Sequence, residues 1–359
     1  MNALDYLSLM REKGVSFRVV QHGLKYFNLS SARGWEPLLE HYSELNSADI
    51  NDSIKELYLS QLFFGQRTVY FSQILEDEND TFSANASNVC DVIRELFYSS
   101  RHSNLSLYRD SYPLPISYDE LHSVPLTNPC PVFIDETNDV LQLIFTYPRA
   151  YKERVAIDIS DLDFSSDEVS QLRGFEEIIG VKSGRAQSFD CIRLDKNTGV
   201  VQFQIDHSRN ILKDEMDSAA RRYRHMLMDG YREMNGVSIP MENINIHSKI
   251  DELYDSDDGR IHNLEHATAT GSVKTEKMRK REDDLRDEQF HQAGLDAIDG
   301  DTNNFCITKQ WDGECGSCLK LTIDGGVSLA ARSNPKVDYA TLEGCITEND
   351  FNLLISKVL

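Results

Sequence analysis

The segment His262-Asn263-Leu264-Glu265-His266 has the sharpest chemical spacing in this chain. On a helix, residues four apart share a face, so His262 and His266 would stand one turn apart and could hold a Zn²⁺ between them. Glu265 would then lie beside the metal-bound water as a general base, which makes it the candidate catalytic residue. A second candidate metal set is the pair Cys315 and Cys318, completed to four ligands by Cys306 and Cys345 if their strands are neighbours. The same pair would serve as a redox dithiol only at a helix N-terminus, whereas β-patterned sequence flanks it on both sides. Bases cluster in two places: Lys274, Lys277, Arg279, Lys280 and Arg281 in one, Arg221, Arg222 and Arg224 in the other. Such clusters can hold phosphates even in an acidic chain, and these eight residues are the candidate nucleic-acid contacts.

The H-x-x-E-H order resembles the inverzincin metallopeptidases, the pitrilysin and insulin-degrading family. Gly259 before the motif, and Gly271-Ser272 with Lys274 after it, extend the likeness. The resemblance implies a zinc peptidase with His262 and His266 as ligands, Glu265 as base and Glu343 in place as a third ligand. The segment after His266, Ala267-Thr268-Ala269-Thr270, departs from the apolar helix of that family.

A fourth constellation is Asp190 and Asp206 at the ends of a hairpin. Nucleases of the PD-(D/E)xK type hold Mg²⁺ with an aspartate and an E-x-K on such strands. Here Gln204-Ile205-Asp206 stands where E-x-K would be, and the lysine is missing. There is no G-x-x-x-x-G-K, G-x-G-x-x-G, G-x-S-x-G or EF-hand loop. P-loop ATPase chemistry is thereby excluded as far as sequence can exclude it.

The elements that must position these groups read as α+β. Residues 1–112 are mainly helical, with one helix ended by Lys13-Gly14, another after Ser31 carrying Trp35, Leu38 and Tyr42, and a third through Ile54, Leu57, Tyr58 and Leu62, capped by Asp52 or Ser53. Residues 67–74 alternate like a strand, 76–80 read as an acidic loop, and 89–98 as a further helix. Five prolines within 113–131 exclude helix and central strand and mark a connection between domains. Residues 132–236 read as an antiparallel β-meander followed by a long helix over 212–234, whose Met216, Met226 and Met234 belong to an apolar stripe. Its strands fall at 132–135, 140–147, 155–159, 189–195 and 200–206. Residues 237–359 form a second helix-plus-antiparallel-sheet unit. It comprises a charged helix over 274–298, strands at 305–311, 318–323, 327–331 and 339–346, and a last helix capped by Thr347.

Acids outnumber bases 59 to 37 among 359 residues, a formal charge of −22, so no surface-wide coat of nucleic acid or anionic membrane is expected. Seven cysteines, an odd number without an export signal at the start of the chain, read as reduced thiols in a cytoplasm, and no stretch is apolar enough for membrane insertion. Every enzymatic constellation is incomplete. We therefore expect a non-catalytic cytoplasmic interaction or assembly subunit with a protein partner, no cofactor and an open oligomeric state. Membership of a prokaryotic antiviral complex is a background expectation that no residue carries. A nucleic-acid-associated factor and a zinc metallopeptidase are the alternatives.

Overall fold

A computed structural model describes residues 1–45, 47–76, 81–126, 128–158, 175–208, 211–298, 300 and 302–359. The fold is α+β. Four helices come first: α1 (Ala3–Lys13), α2 (Phe17–Tyr26), α3 (Trp35–Ser43) and α4 (Ala48–Phe64). Strand β1 (Arg67–Ile74) precedes α5 (Phe82–Tyr98), α6 (Leu105–Ser111) and α7 (Tyr118–Ser123). Next come β2 (Cys130–Glu136), β3 (Val140–Ile157), β4 (Ile178–Asp195), β5 (Val200–Asp206) and the long helix α8 (Lys213–Asn235). The remainder is β6 (Met241–Asn243), α9 (Lys249–Asp255), β7 (Arg260–Thr268), β8 (Val273–Lys277), α10 (Gln289–Asp296), β9 (Thr302–Asp312), β10 (Cys318–Asp324), β11 (Tyr339–Glu343) and α11 (Glu348–Ser356).

All the strands join one antiparallel sheet in the order β2-β3-β4-β5-β1-β11-β10-β9-β7-β8, with β6 beside β1. β1 is the seam: its pairing with β5 and β11 links the meander to the C-terminal strands. Alternation along the strands sets the two faces. On one, Leu143, Phe145, Ile192, Phe203 and Tyr70 pack under α5 and α8, with Tyr223, Leu227 and Tyr231 of α8 fully buried against them. On the other, Ile144 and Cys191 pack under α6 and α7, and Val69, Ile307, Leu321 and Leu342 pack under α9 and α11. Beyond β1, the face that bears α8 changes character. Its residues are mainly polar, with Thr341 and Glu343 on β11 opposite Thr322 and Lys320 on β10, which in turn oppose Thr308 and Gln310 on β9. Helices α1 to α4 form their own core around Leu7, Leu24, Leu38 and Leu57, and Ile346 from the end of the sheet enters it.

Several local expectations are corrected. The charged segment 274–298 is not one helix. Its first part is β8, an edge strand formed by pairing with β7; helix is confined to a 3₁₀ turn at Leu285–Asp287 and the α-helix Gln289–Asp296. The i,i+4 charge pairs that suggested a helix contribute only a few tenths of a kcal/mol each, about 0.2–0.5, less than a strand's ladder and packing. His262-to-His266 is likewise strand, within β7, with irregularities between Ile261 and Asn263 and between Glu265 and His266. Residues 327–329 are a 3₁₀ turn, because β11 occupies the place beside β10. The proline-rich stretch holds one short helix, α7, in the gap between Pro115 and Pro125, closed by a capping box of Ser117 and Glu120. Helix α3 is preceded by Gly34 rather than Ser31, and α4 by Ser47 rather than Asp52 or Ser53. Residues 77–80 of the acidic loop and residue 159 lie outside the described residues.

Candidate anion-binding cleft

At one end of the sheet β5 and β11 finish while β1 and β10 begin, and the turn between α1 and α2 lies against that end. A cleft of about 580 Å³ opens there. It is lined by six cationic side chains, Lys13, Arg18, Arg279, Lys280, Arg281 and Lys320, against two acids, Glu282 and Glu343. In a chain of −22 this is a strong local reversal of sign. Few of these charges are spent internally. Lys13 pairs with Asp206, and Arg281 approaches Glu282 at 3.5 Å. Glu343 accepts from Gln66 Nε2 at 2.7 Å. Arg18, Arg279, Lys280 and Lys320 have no ion-pair partner among the described residues, and the first three are exposed.

Each cation has a local cause for its position. Gly14 ends α1 in the left-handed conformation, so the chain turns at once and α2 starts at the rim, with Ser16, Arg18 and Val19 lining the cleft. The Ser16 hydroxyl makes no capping hydrogen bond, and the positive end of a ten-residue helix adds to the field there. Lys320 is on β10, directly opposite Gln310 and Glu343. The segment after β8 is tied to β7: Met278 N–H donates to the His262 carbonyl at 2.8 Å, and Arg260 Nε donates to the Arg281 carbonyl at 3.2 Å. These two bonds bring Arg279, Lys280 and Arg281 over the cleft. Lys277 is opposite Asn263 on the same polar face and extends the positive strip along the sheet edge.

Two polar atoms of the lining are buried without a hydrogen-bond partner among the described residues, His262 Nδ1 and Ser317 Oγ. Burial holds the His262 pKa below its ordinary value, and Lys320 and Lys277 push it the same way. Gly344 at the floor has φ +85°, and a Cβ there would come within 2.0 Å of the Cys318 carbonyl oxygen, so only glycine fits.

The structure brings together some of the residues singled out from sequence and separates others. Of the basic clusters, Arg279, Lys280 and Arg281 enter the cleft, Lys277 flanks it and Lys274 is opposite His266 on β8. Arg221, Arg222 and Arg224 are on α8, away from its lining. Arg224 approaches Asp338 at 3.4 Å, Arg222 covers the Tyr147 ring and Arg221 donates to Ser218.

His262 and His266 do not share a site. His262 faces Lys320 and Lys277, whereas His266 feels Glu276 and His291 across the sheet. Glu265 is opposite Cys306 and Thr275, and Glu343 is part of the cleft. Among the described residues no three His, Cys, Asp or Glu side chains are grouped to hold a metal, which covers the set of Cys306, Cys315, Cys318 and Cys345 as well. Burial pushes the Cys306 thiol up to about 12 and raises Cys318 and Cys345 too, so these thiols stay protonated.

Asp190 and Asp206 do meet, but as structure. Asp190 accepts from Arg149 at 2.5 Å, from the Tyr223 hydroxyl at 2.7 Å and from Asp206 N–H at 2.9 Å. Asp206 accepts from Lys13, Phe189 N–H and Ser208 N–H. The lysine missing from the strand is supplied by α1, and the carboxylate oxygens are all occupied within the fold. Sequence reasoning missed Lys13, Arg18 and Lys320 because each is a lone base with no cluster around it.

Compared with models of protein families and with curated proteins, the chain matches none.

Proposed function

We propose that this protein is a non-catalytic binding subunit whose cleft holds a nucleic-acid strand by its phosphate backbone. One observation carries this reading: Arg18, Arg279, Lys280 and Lys320, without acidic partners among the described residues, converge from three separate elements of a strongly acidic chain. Unpaired cations held close together repel one another and are costly unless an anion joins them. With Lys277 they form a strip longer than a single phosphate can use, which favours a polyanion. Among the described residues the cleft lining contains no Phe, Tyr or Trp, so contact along it is to phosphate and sugar rather than to base faces. A partner protein would supply chemistry or energy in the assembly, consistent with the incomplete catalytic constellations.

The test is fluorescence anisotropy with a labelled single-stranded oligonucleotide. Reversing Arg18 and Lys320 to glutamate should weaken binding at least a hundred-fold at low salt, since each reversal replaces an attraction of about 1 kcal/mol or more with a repulsion. Unchanged affinity in a folded double variant would refute the proposal.

A further inference from the structure

A second cavity of about 280 Å³ adjoins the cleft, and both are lined by Lys13 and Ser208. Its character is different. The walls include Tyr58, Ile116, Leu121 and Phe189, each at most 7% exposed, and they belong to the helical and meander cores rather than to the polar sheet face. Lys13 marks the boundary: its ammonium pairs with Asp206 on one side and lies 6.0 Å from the centre of the Phe189 ring on the other. A ligand that fills both spaces must be anionic at one end and flat or apolar at the other.

Most of the strongest polar groups of this second space are engaged. Gln187 donates to Thr146 Oγ1 and accepts from Ile116 N–H, both at 2.8 Å. Arg185 donates to the carbonyls of Leu121, His122 and Val124 at 2.7–3.2 Å. Arg149 is spent on Asp190 and the Asp206 carbonyl. Arg149 Nε is buried without a hydrogen-bond partner, and the hydroxyls of Tyr118, Ser188 and Ser208 and the Glu12 carboxylate make no hydrogen bond among the described residues. Such a lining can bury an aromatic ring and offers few groups to read its edge.

Resting on the nucleic-acid reading of the cleft, we infer that one base of the bound strand leaves the backbone track at Lys13 and is buried in this second space, with little discrimination among bases. Among the described residues the cleft alone has no aromatic platform, and stacking against Tyr58 and Phe189 supplies the contact that phosphates cannot give.

The experiment compares a labelled oligonucleotide with an abasic strand of the same length on the intact protein, and then on Leu121→Trp, which fills the cavity. The base-containing strand should bind about ten-fold more tightly than the abasic one, the four homopolymers should agree within a few-fold, and Leu121→Trp should abolish the base-dependent difference while leaving abasic binding unchanged. Equal affinity for the two strands on the intact protein would overturn the base pocket and leave the backbone reading standing. A difference that persists in folded Leu121→Trp would also overturn it, by placing the base elsewhere. Should Leu121→Trp fail to fold, the abasic comparison on the intact protein decides. Failure of both strands to bind would overturn the function and this inference together.

Discussion

Replacing Lys13 by methionine strands a carboxylate. Asp206 is 1% exposed and receives Lys13, Phe189 N–H and Ser208 N–H. Burial works to raise its pKa, but Lys13 and Arg67 outweigh it and hold Asp206 well below the usual carboxylate range. Lys13 itself is lowered, because its own burial exceeds what Asp206 returns. Removing one member of a buried pair costs roughly 3–5 kcal/mol. Two amide donors and Arg67 remain with Asp206, which places Lys13→Met at the lower end, about 3 kcal/mol at pH 7.

The assay is equilibrium urea unfolding of wild type, Lys13→Met, Asp206→Asn and the double variant. Because the loss arises from an unpaired charge, neutralising Asp206 in the double variant should recover at least about 1 kcal/mol relative to the sum of the single changes. The sign with pH follows from Asp206. With its pKa depressed in the folded state, the carboxylate contributes stability above its unfolded value near 3.9, and that contribution is lost as pH falls through the folded pKa. Lys13→Met lets the folded pKa rise, so the penalty should shrink between pH 7 and 4. A cost below about 1 kcal/mol, or additivity within about 0.5 kcal/mol, would refute the reasoning.

Three further outcomes follow from the structure. In Lys320→Gln the His262 ring should titrate at higher pH than in wild type, and oligonucleotide binding to the wild type should move it the same way; an NMR titration showing neither shift would remove Lys320 from its surroundings. Gly344→Ala, meeting both the left-handed backbone and the Cys318 carbonyl, should cost about 3 kcal/mol or more in thermal unfolding, and a neutral result would mean the floor of the cleft is built differently. Glu136 is held down to about 2 by Arg94 and then Lys196, so its contribution is present above about 4.3 and is lost as pH falls through about 2. Solvent screening at this exposed site limits that contribution to about 1 kcal/mol, and Glu136→Gln should remove that acid dependence.

The elements legible in the sequence are those whose burial pattern is local. The stripe through Tyr223, Leu227 and Tyr231 defines α8, and the alternation around Lys196-Asn197-Thr198-Gly199 defines the β4–β5 hairpin. The Thr347 cap is likewise local, with Thr347 accepting from Asp350 N–H. What failed depends on pairing with another strand rather than on the segment's own pattern. β8 has a short, charged sequence that becomes strand only because β7 offers a ladder, and the H-x-x-E-H segment is strand because β9 and β8 flank it. The cleft is likewise not a local pattern. Its cations come from α1, α2, the segment after β8, and β10, and only Arg279-Lys280-Arg281 leave a mark in the sequence.

The most direct test of the central claim is the salt dependence of oligonucleotide binding. Arg18, Lys277, Arg279, Lys280 and Lys320 offer five cations without an ion-pair partner among the described residues. Engagement of all five predicts a plot of log affinity against log salt with a slope of roughly −3.5. Neutralising Arg279 and Lys280 to glutamine should flatten it to about −2. A slope near zero in the wild type, or one that these substitutions leave unchanged, would contradict the account.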